Sequence, residues 1–248
     1  MPVQRPRQTE GATVTADGLG LRGPRGPVFA DVELRAPEGA LIVVDGPSGS
    51  GRTALLLTLT GRMRPDAGTA EVAGRRLPHG AAAVRRMSAL GPVPGITDPD
   101  PAHSVGEQLR ERALLLGRFD GPLRGLLASP RRRSAAARER TEAALAAAGL
   151  DPYALPHGVR TRGRDLSRTE TFRLGVALAL LGRPRLLAVD DVGLKLTDGE
   201  ETAVWELLAS IAAAGTTVLA VGKSPAPAVA GEVPLVVVRT ADRVREAV

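Results

Sequence analysis

The stretch from Val43 to Leu57 constrains this 248-residue chain more than any other, because it joins a strand to an apolar helix through a glycine-rich turn. Its first residues continue an apolar run of strand length. Gly46, Gly49 and Gly51 allow turn conformations that residues with a Cβ atom resist. The helix that begins at Arg52 presents free backbone amides to this turn. Because such amides and the helix dipole both favour negative charge, the stretch predicts an anion site.

The turn matches the phosphate-loop pattern G-x-x-x-x-G-K-[ST] at every defined position except the lysine, which is replaced by Arg52. The match predicts that nine consecutive residues bind phosphate. These residues are Gly46, Pro47, Ser48, Gly49, Ser50, Gly51, Arg52, Thr53 and Ala54. The alternative interpretation is a glycine-rich strand-to-helix turn that holds no ligand.

A second apolar run, Leu186 to Val189, ends in Asp190 and Asp191. A carboxylate at the end of a buried strand beside a phosphate loop is an arrangement that suits Mg²⁺, which prefers oxygen ligands. We therefore expect the metal between Asp190 and the hydroxyl of Thr53. The alternative is that the two aspartates only cap a helix or form a turn.

The remaining pattern alternates strands and helices, which predicts an α/β fold with a mostly parallel sheet. An N-terminal part with loose alternation predicts antiparallel strands, and two amphipathic helices predict an inserted helical subdomain. The expected division is a disordered tail at 1–11, a first core part at 12–96, the helical subdomain at 97–165, and the signature helix with the second core part at 166–248.

Composition excludes several classes of function. The chain has no cysteine, so disulfides and thiolate metal sites are absent. Its net charge of +6 suggests nucleic acid, but aromatic residues make up 2% of the chain, too few for base-stacking surfaces. The run Arg131 to Arg133 predicts a solvated loop, with contact to lipid headgroups or a partner as the alternative. No apolar run approaches the ~18 residues of a membrane span.

Taken together, these motifs resemble the nucleotide-binding domain of ATP-binding cassette (ABC) transporters, from about residue 12 to residue 225. The resemblance rests on three stretches of the chain. They are GPSGSGRTALLLTLTGRMRPDAGTAEVAGR after Pro37-Glu38-Gly39, then SVGEQL from Ser104, then LSRTETFRLGVALALLGRPRLLAVDDV from Leu166. The last contains the positions of the signature helix and of the Walker B strand.

The resemblance implies a P-loop NTPase fold of ABC type that binds ATP and Mg²⁺. It also implies two kinds of partner, namely a membrane-spanning transporter subunit and a second nucleotide-binding subunit in a homo- or heterodimer. The expected location is the cytoplasm, at the inner face of the cell membrane through that partner. In such dimers, each nucleotide lies between the phosphate loop of one subunit and the signature of the other.

The chain departs from the family pattern where chemistry is expected. The signature, usually Leu-Ser-Gly-Gly-Gln, here has Ser167, Arg168, Thr169 and Glu170 after its leucine. The catalytic glutamate position holds Asp191, and the switch histidine position holds Lys223. No glutamine occurs from 89 to 97, where the Q-loop is expected. The adenine-stacking aromatic would fall near Gly23, and Phe29 is expected in the core.

Three hypotheses of function follow. The first is the ATP-binding subunit of an ABC transporter with weak or absent hydrolysis. The second is a non-catalytic regulatory or scaffold protein on the same fold, which predicts no nucleotide affinity. The third is a soluble ABC-type protein that acts on nucleic acid, which predicts salt-dependent binding to DNA or RNA.

Overall fold

The computed structural model describes residues 10–119, 130–223, 231 and 233–240. The described residues form nine strands and six α-helices. The strands are β1 (Val14–Gly23), β2 (Gly26–Ala36), β3 (Leu41–Asp45), β4 (Ala67–Val72), β5 (Arg75–Leu77), β6 (Ser88–Leu90), β7 (Leu186–Val192), β8 (Thr217–Gly222) and β9 (Leu235–Arg239). The helices are α1 (Arg52–Leu59), α2 (Ala81–Met87), α3 (Val105–Phe119), α4 (Pro130–Ala147), α5 (Arg168–Leu180) and α6 (Asp198–Ala213).

The strands form two sheets, one antiparallel and one parallel. The antiparallel sheet has the order β2-β1-β4-β5, and the parallel sheet has the order β6-β7-β8-β3-β9. In the parallel sheet, the apolar residues 41–44, 186–189 and 218–221 of the three central strands are fully shielded from solvent. Strands of a parallel sheet that is covered on both faces are apolar throughout, which explains these continuous runs. The predicted mostly parallel sheet with an N-terminal antiparallel part is confirmed.

The chain divides into two compact units. The core unit comprises Met1–Leu90 and Pro184–Val248, and the helical unit comprises Gly91–Arg183. Helix α5 therefore belongs to the helical unit, where it packs against α3 and α4. Of the tail expected at 1–11, residues 1–9 lie outside the described part of the chain. The carbonyls of Glu10 and Gly11 accept hydrogen bonds from the Arg185 guanidinium.

Two features of the fold differ from the sequence-based expectations. Helix α4 begins at Pro130, so the expected loop at Arg131 to Arg133 is wrong. Proline favours the first turn of a helix, and arginine and alanine are good helix formers, which explains why the three arginines are helical. The analysis of the sequence also did not predict β5, α2 and β9. The first two are only three and seven residues long, too short for a clear periodicity.

One buried hydroxyl joins the first described residues to the parallel sheet. Thr217, at the start of β8, accepts hydrogen bonds from the amides of Ala12 and Gly39, each at 3.0 Å, and donates to the Ala12 carbonyl at 2.8 Å. Thr217 has no exposed surface. Its hydroxyl thus satisfies three backbone groups at once.

We predict that Thr217→Val lowers the free energy of unfolding by about 2 kcal/mol, because it leaves buried backbone groups unpaired without changing side-chain volume much. Chemical denaturation of both proteins measures this loss. Thr202→Val, at an exposed position of α6, is the matched control and should stay within about 0.5 kcal/mol of the parent. Equal effects of the two substitutions would contradict the assigned role of Thr217.

Candidate phosphate-binding site

The turn between β3 and α1 adopts a conformation that depends on its glycines. Gly49 and Gly51 both have φ of +84°, and Gly51 is the N-cap of α1. A Cβ atom on Gly51 would lie 2.3 Å from the Val28 carbonyl oxygen, so this glycine lets the turn pack closely on β2. A Cβ atom on Gly49 would meet no atom within 4 Å. The turn is therefore fixed to the core at one glycine and faces open space at another.

Thr240, which follows β9, holds the other side of the turn. Its hydroxyl oxygen lies 2.6 Å from the Ser50 hydroxyl oxygen, and its amide donates to the Asp45 carbonyl at 2.9 Å. A Cβ atom on Gly46 would lie 2.3 Å from that Thr240 hydroxyl oxygen. The sequence analysis missed Thr240. The apolar run Leu235 to Val238 was a signal for a strand before this residue, but such a run does not indicate the neighbouring strand.

The hydroxyl of Thr53 donates a hydrogen bond of 2.6 Å to Asp190 Oδ2. The other oxygen of this carboxylate accepts from the Asp191 amide at 2.8 Å. Asp190 is only 4% exposed, and this burial raises the pKa of its carboxyl above the usual value, against the opposing effect of the Thr53 hydrogen bond. The structure thus brings together the two residues that the sequence predicts as metal ligands.

Asp191 lies in a local irregularity of β7. The pairing of β7 with β8 shifts register between Val189 and Val192, and Asp191 has a left-handed φ of +49°. Strand irregularities of this kind redirect side chains near functional sites. The Asp191 carboxylate lies 3.8 Å from the Arg52 guanidinium. Two consecutive residues of α1 are thus paired with two consecutive residues of β7.

These residues suit a phosphate group and a divalent cation. Arg52 supplies a positive charge at the start of α1, and the N-cap residue Gly51 has no side chain that could cap the amides of the first turn. Thr53 and Asp190 supply adjacent oxygen atoms of the kind that Mg²⁺ prefers. Among the described residues, no group of three or more His, Cys, Asp or Glu side chains could hold a metal alone. A cation at Thr53 and Asp190 would therefore need further oxygen ligands, such as those of a phosphate.

The sequence matches the family model described as ABC transporter over residues 29–192. The chain belongs to the ABC transporter family. It is 32% identical over 192 residues to the Nod factor export ATP-binding protein I of Cupriavidus pinatubonensis, covering 77% of this chain and 53% of that protein. It is 30% identical over 209 residues to the daunorubicin resistance ATP-binding protein DrrA3 of Streptomyces coeruleorubidus, covering 83% and 58%. The chain thus spans little more than half the length of these relatives.

Solved structures of ABC proteins share the fold. The dimeric structure of MJ0796, a bacterial ABC transporter cassette, superposes with a TM-score of 0.68 at 19% identity, covering 93% of this chain and 96% of that chain. A bacterial Atm1-family ABC exporter with ATP bound gives a TM-score of 0.66 at 19% identity, covering 97% and 40%. The predicted P-loop fold of ABC type is confirmed.

The residues that the sequence predicts at the ABC signature form the N-terminal cap of helix α5 in the helical unit. Ser167 is the N-cap of α5, and its hydroxyl accepts from the Glu170 amide at 3.2 Å. The Glu170 carboxylate accepts in turn from the Ser167 amide at 2.7 Å. This reciprocal pair is a capping box, and Arg168 and Thr169 form the first turn of the helix inside it. The helix therefore begins with a carboxylate at its positive end.

The remaining positions that the sequence analysis compares with the family pattern lie outside the predicted phosphate loop. Lys223 directly follows β8 and is exposed. Gly23 lies at the end of β1, opposite Gly26 of β2. Phe29 is 5% exposed and belongs to the core, as expected. None of the described helices is long and apolar enough to cross a membrane.

We predict that Asp190→Asn raises the melting temperature of the ligand-free protein near neutral pH. Burial raises the pKa of Asp190 in the folded state, so the free energy of unfolding falls as pH rises from the usual carboxyl range through the raised pKa. The amide removes the buried charge. Its oxygen can accept from the Asp191 amide, and its N–H group can donate to the Thr53 hydroxyl, which then accepts instead of donating. Thermal unfolding of both proteins should show a difference at pH 7 that vanishes below about pH 4.

Asp17→Asn, at an exposed position of β1, is the matched control and should leave the melting temperature unchanged at both pH values. A lower melting temperature of Asp190→Asn at pH 7 would show that the carboxylate stabilises the ligand-free fold, contrary to this account.

Proposed function

We propose that this chain is an ATP-binding subunit of an ABC transporter that binds MgATP at its phosphate loop and hydrolyses it slowly or not at all. The observation that carries the proposal is the convergence of Arg52 and Thr53, at the start of α1, with Asp190 at the end of β7. The names of the relatives support ATP binding, because the two relatives from Cupriavidus and Streptomyces are named ATP-binding proteins.

In this proposal, residues Gly46 to Ala54 surround the phosphates, and Arg52 supplies the positive charge of the missing lysine. A guanidinium is planar and wider than an ammonium, so the replacement retains charge but changes its shape and position. Thr53 and Asp190 would hold Mg²⁺, which supplies charge neutralisation to the phosphate oxygens when bound. The Thr53 hydroxyl would then give up its hydrogen bond to Asp190 and would contact the cation instead.

Three features of the chain support weak hydrolysis. Asp191, at the general-base position, lies beside Arg52 and is one methylene shorter than glutamate, which withdraws it from an attacking water. Lys223 puts a cation where the family has histidine. Glu170 puts a carboxylate at the start of α5, where the signature of this family receives the phosphate of the opposite subunit. A negative charge at that helix end disfavours a second anion.

We propose a membrane-spanning transporter subunit and a second nucleotide-binding subunit as partners, with the chain at the cytoplasmic face of the membrane. A homodimer would have two altered sites. A heterodimer would place the altered phosphate loop in one site and the altered signature in the other. In either assembly, nucleotide would serve to hold subunits together or to signal occupancy rather than to drive rapid turnover.

We predict that the purified chain binds ATP in a Mg²⁺-dependent manner and that Arg52→Ala weakens this binding about 10- to 100-fold. A charge-assisted hydrogen bond contributes about 1.5–3 kcal/mol, and each 1.4 kcal/mol is about tenfold in affinity. Isothermal titration calorimetry with and without Mg²⁺ measures both effects. Arg86→Ala, which removes an equal charge from an exposed position of α2, should bind as the parent does.

Absence of binding at millimolar ATP would contradict the proposal and favour the regulatory or scaffold alternative. Equal weakening by Arg52→Ala and Arg86→Ala would show that general positive charge, rather than the phosphate loop, attracts the nucleotide.

A further inference from the structure

The core unit offers no exposed aromatic ring to a nucleotide base. The whole chain contains five aromatic residues, namely three Phe, one Trp and one Tyr. Only Phe29 and Trp205 belong to the core unit. Phe29 is 5% exposed and Trp205 is 2% exposed, so both rings are buried in the hydrophobic core. The Trp205 indole N–H also donates to Glu201 on the same helix.

The strand beside the phosphate loop begins at a turn that contains no aromatic ring. Strand β2 packs on the loop, because the Val28 carbonyl lies against Gly51. Two residues before Val28, β2 begins at Gly26, which pairs with Gly23 across the turn to β1. The two residues between them are Pro24 and Arg25. The surface next to the loop therefore presents small, cyclic aliphatic and cationic groups.

Stacking of one base on an aromatic ring contributes about 1–3 kcal/mol, which is about 5- to 150-fold in affinity. The affinity of a nucleotide site that lacks this stacking contribution depends mainly on the contacts with phosphate. Strong discrimination between bases further needs buried groups that hydrogen-bond to the base edge. The contacts described for the loop instead involve backbone amides, Arg52, Thr53 and Asp190, all suited to phosphate and its cation.

We propose that this site recognises the triphosphate and not the base, so that its ligand class is any nucleoside triphosphate as its Mg²⁺ complex. The proposal rests on the proposed function, since it assumes that the phosphate loop binds nucleotide. The resulting subunit would respond to the total concentration of nucleoside triphosphates rather than to ATP alone.

The test is titration calorimetry of the purified full chain with the Mg²⁺ complexes of ATP, GTP, CTP, UTP and inorganic tripolyphosphate. We expect the four nucleotides to bind within about threefold of one another and tripolyphosphate within about tenfold of ATP. A preference of more than tenfold for ATP over the other three nucleotides would overturn the proposal while leaving ATP binding intact. Failure of every ligand to bind would instead remove the proposed function, and this inference with it.

A second measurement checks that all ligands occupy the same site. Arg52→Ala should weaken ATP, GTP and tripolyphosphate by the same factor, because Arg52 contacts only the part that they share. Displacement of bound ATP by tripolyphosphate should be complete. Weakening of ATP alone, or incomplete displacement, would show that the nucleoside makes its own specific contacts and would overturn the proposal.

Discussion

The site depends on the hydrogen bond between Thr53 and the buried carboxylate of Asp190. This bond joins the first turn of α1 to the end of β7, and it compensates part of the cost of burying a charged group. Gly51 lets the turn pack on the Val28 backbone from the other side. With both ends held, the amides at the start of α1 are fixed beside the oxygen atoms of Thr53 and Asp190. The turn that the sequence predicts as a phosphate loop is therefore held in place by contacts with the core.

Two residues at predicted nucleotide-binding positions are already paired with carboxylates of the same chain. Arg52, at the phosphate-loop lysine position, lies 3.8 Å from Asp191, at the catalytic glutamate position. Ser167, at the signature serine, forms a capping box with Glu170. Under the proposed function, both pairs satisfy groups that a bound nucleotide would engage. The partly exposed ion pair, with its atoms 3.8 Å apart, is worth at most about 1 kcal/mol, so a triphosphate can displace it. The capping box is an integral part of α5, so its opening would cost helix stability.

Local sequence patterns predicted the parts of the fold whose determinants lie close together in the chain. The strand before Gly46, the glycine turn and α1 form one continuous stretch, and the apolar run that ends at Asp190 is equally local. The contact between Ser50 and Thr240 joins residues 190 positions apart, so no local pattern could indicate it. The S-x-x-E pattern from Ser167 to Glu170 indicates the capping box, whereas the resemblance to the ABC signature does not predict it. The left-handed conformation of Asp191 arises from the register shift in β7, which only the pairing with β8 reveals.

Phosphate binding without efficient hydrolysis is the function that we propose for this chain. The most direct test mixes an excess of the purified chain with radiolabelled MgATP, stops the reaction at intervals and measures the fraction converted to ADP. The account predicts that the bound nucleotide remains ATP, with a rate constant far below ~1 s⁻¹, the lower end of ordinary enzyme turnover. Conversion at or above that rate by the parent chain, abolished by Thr53→Val, would contradict the account.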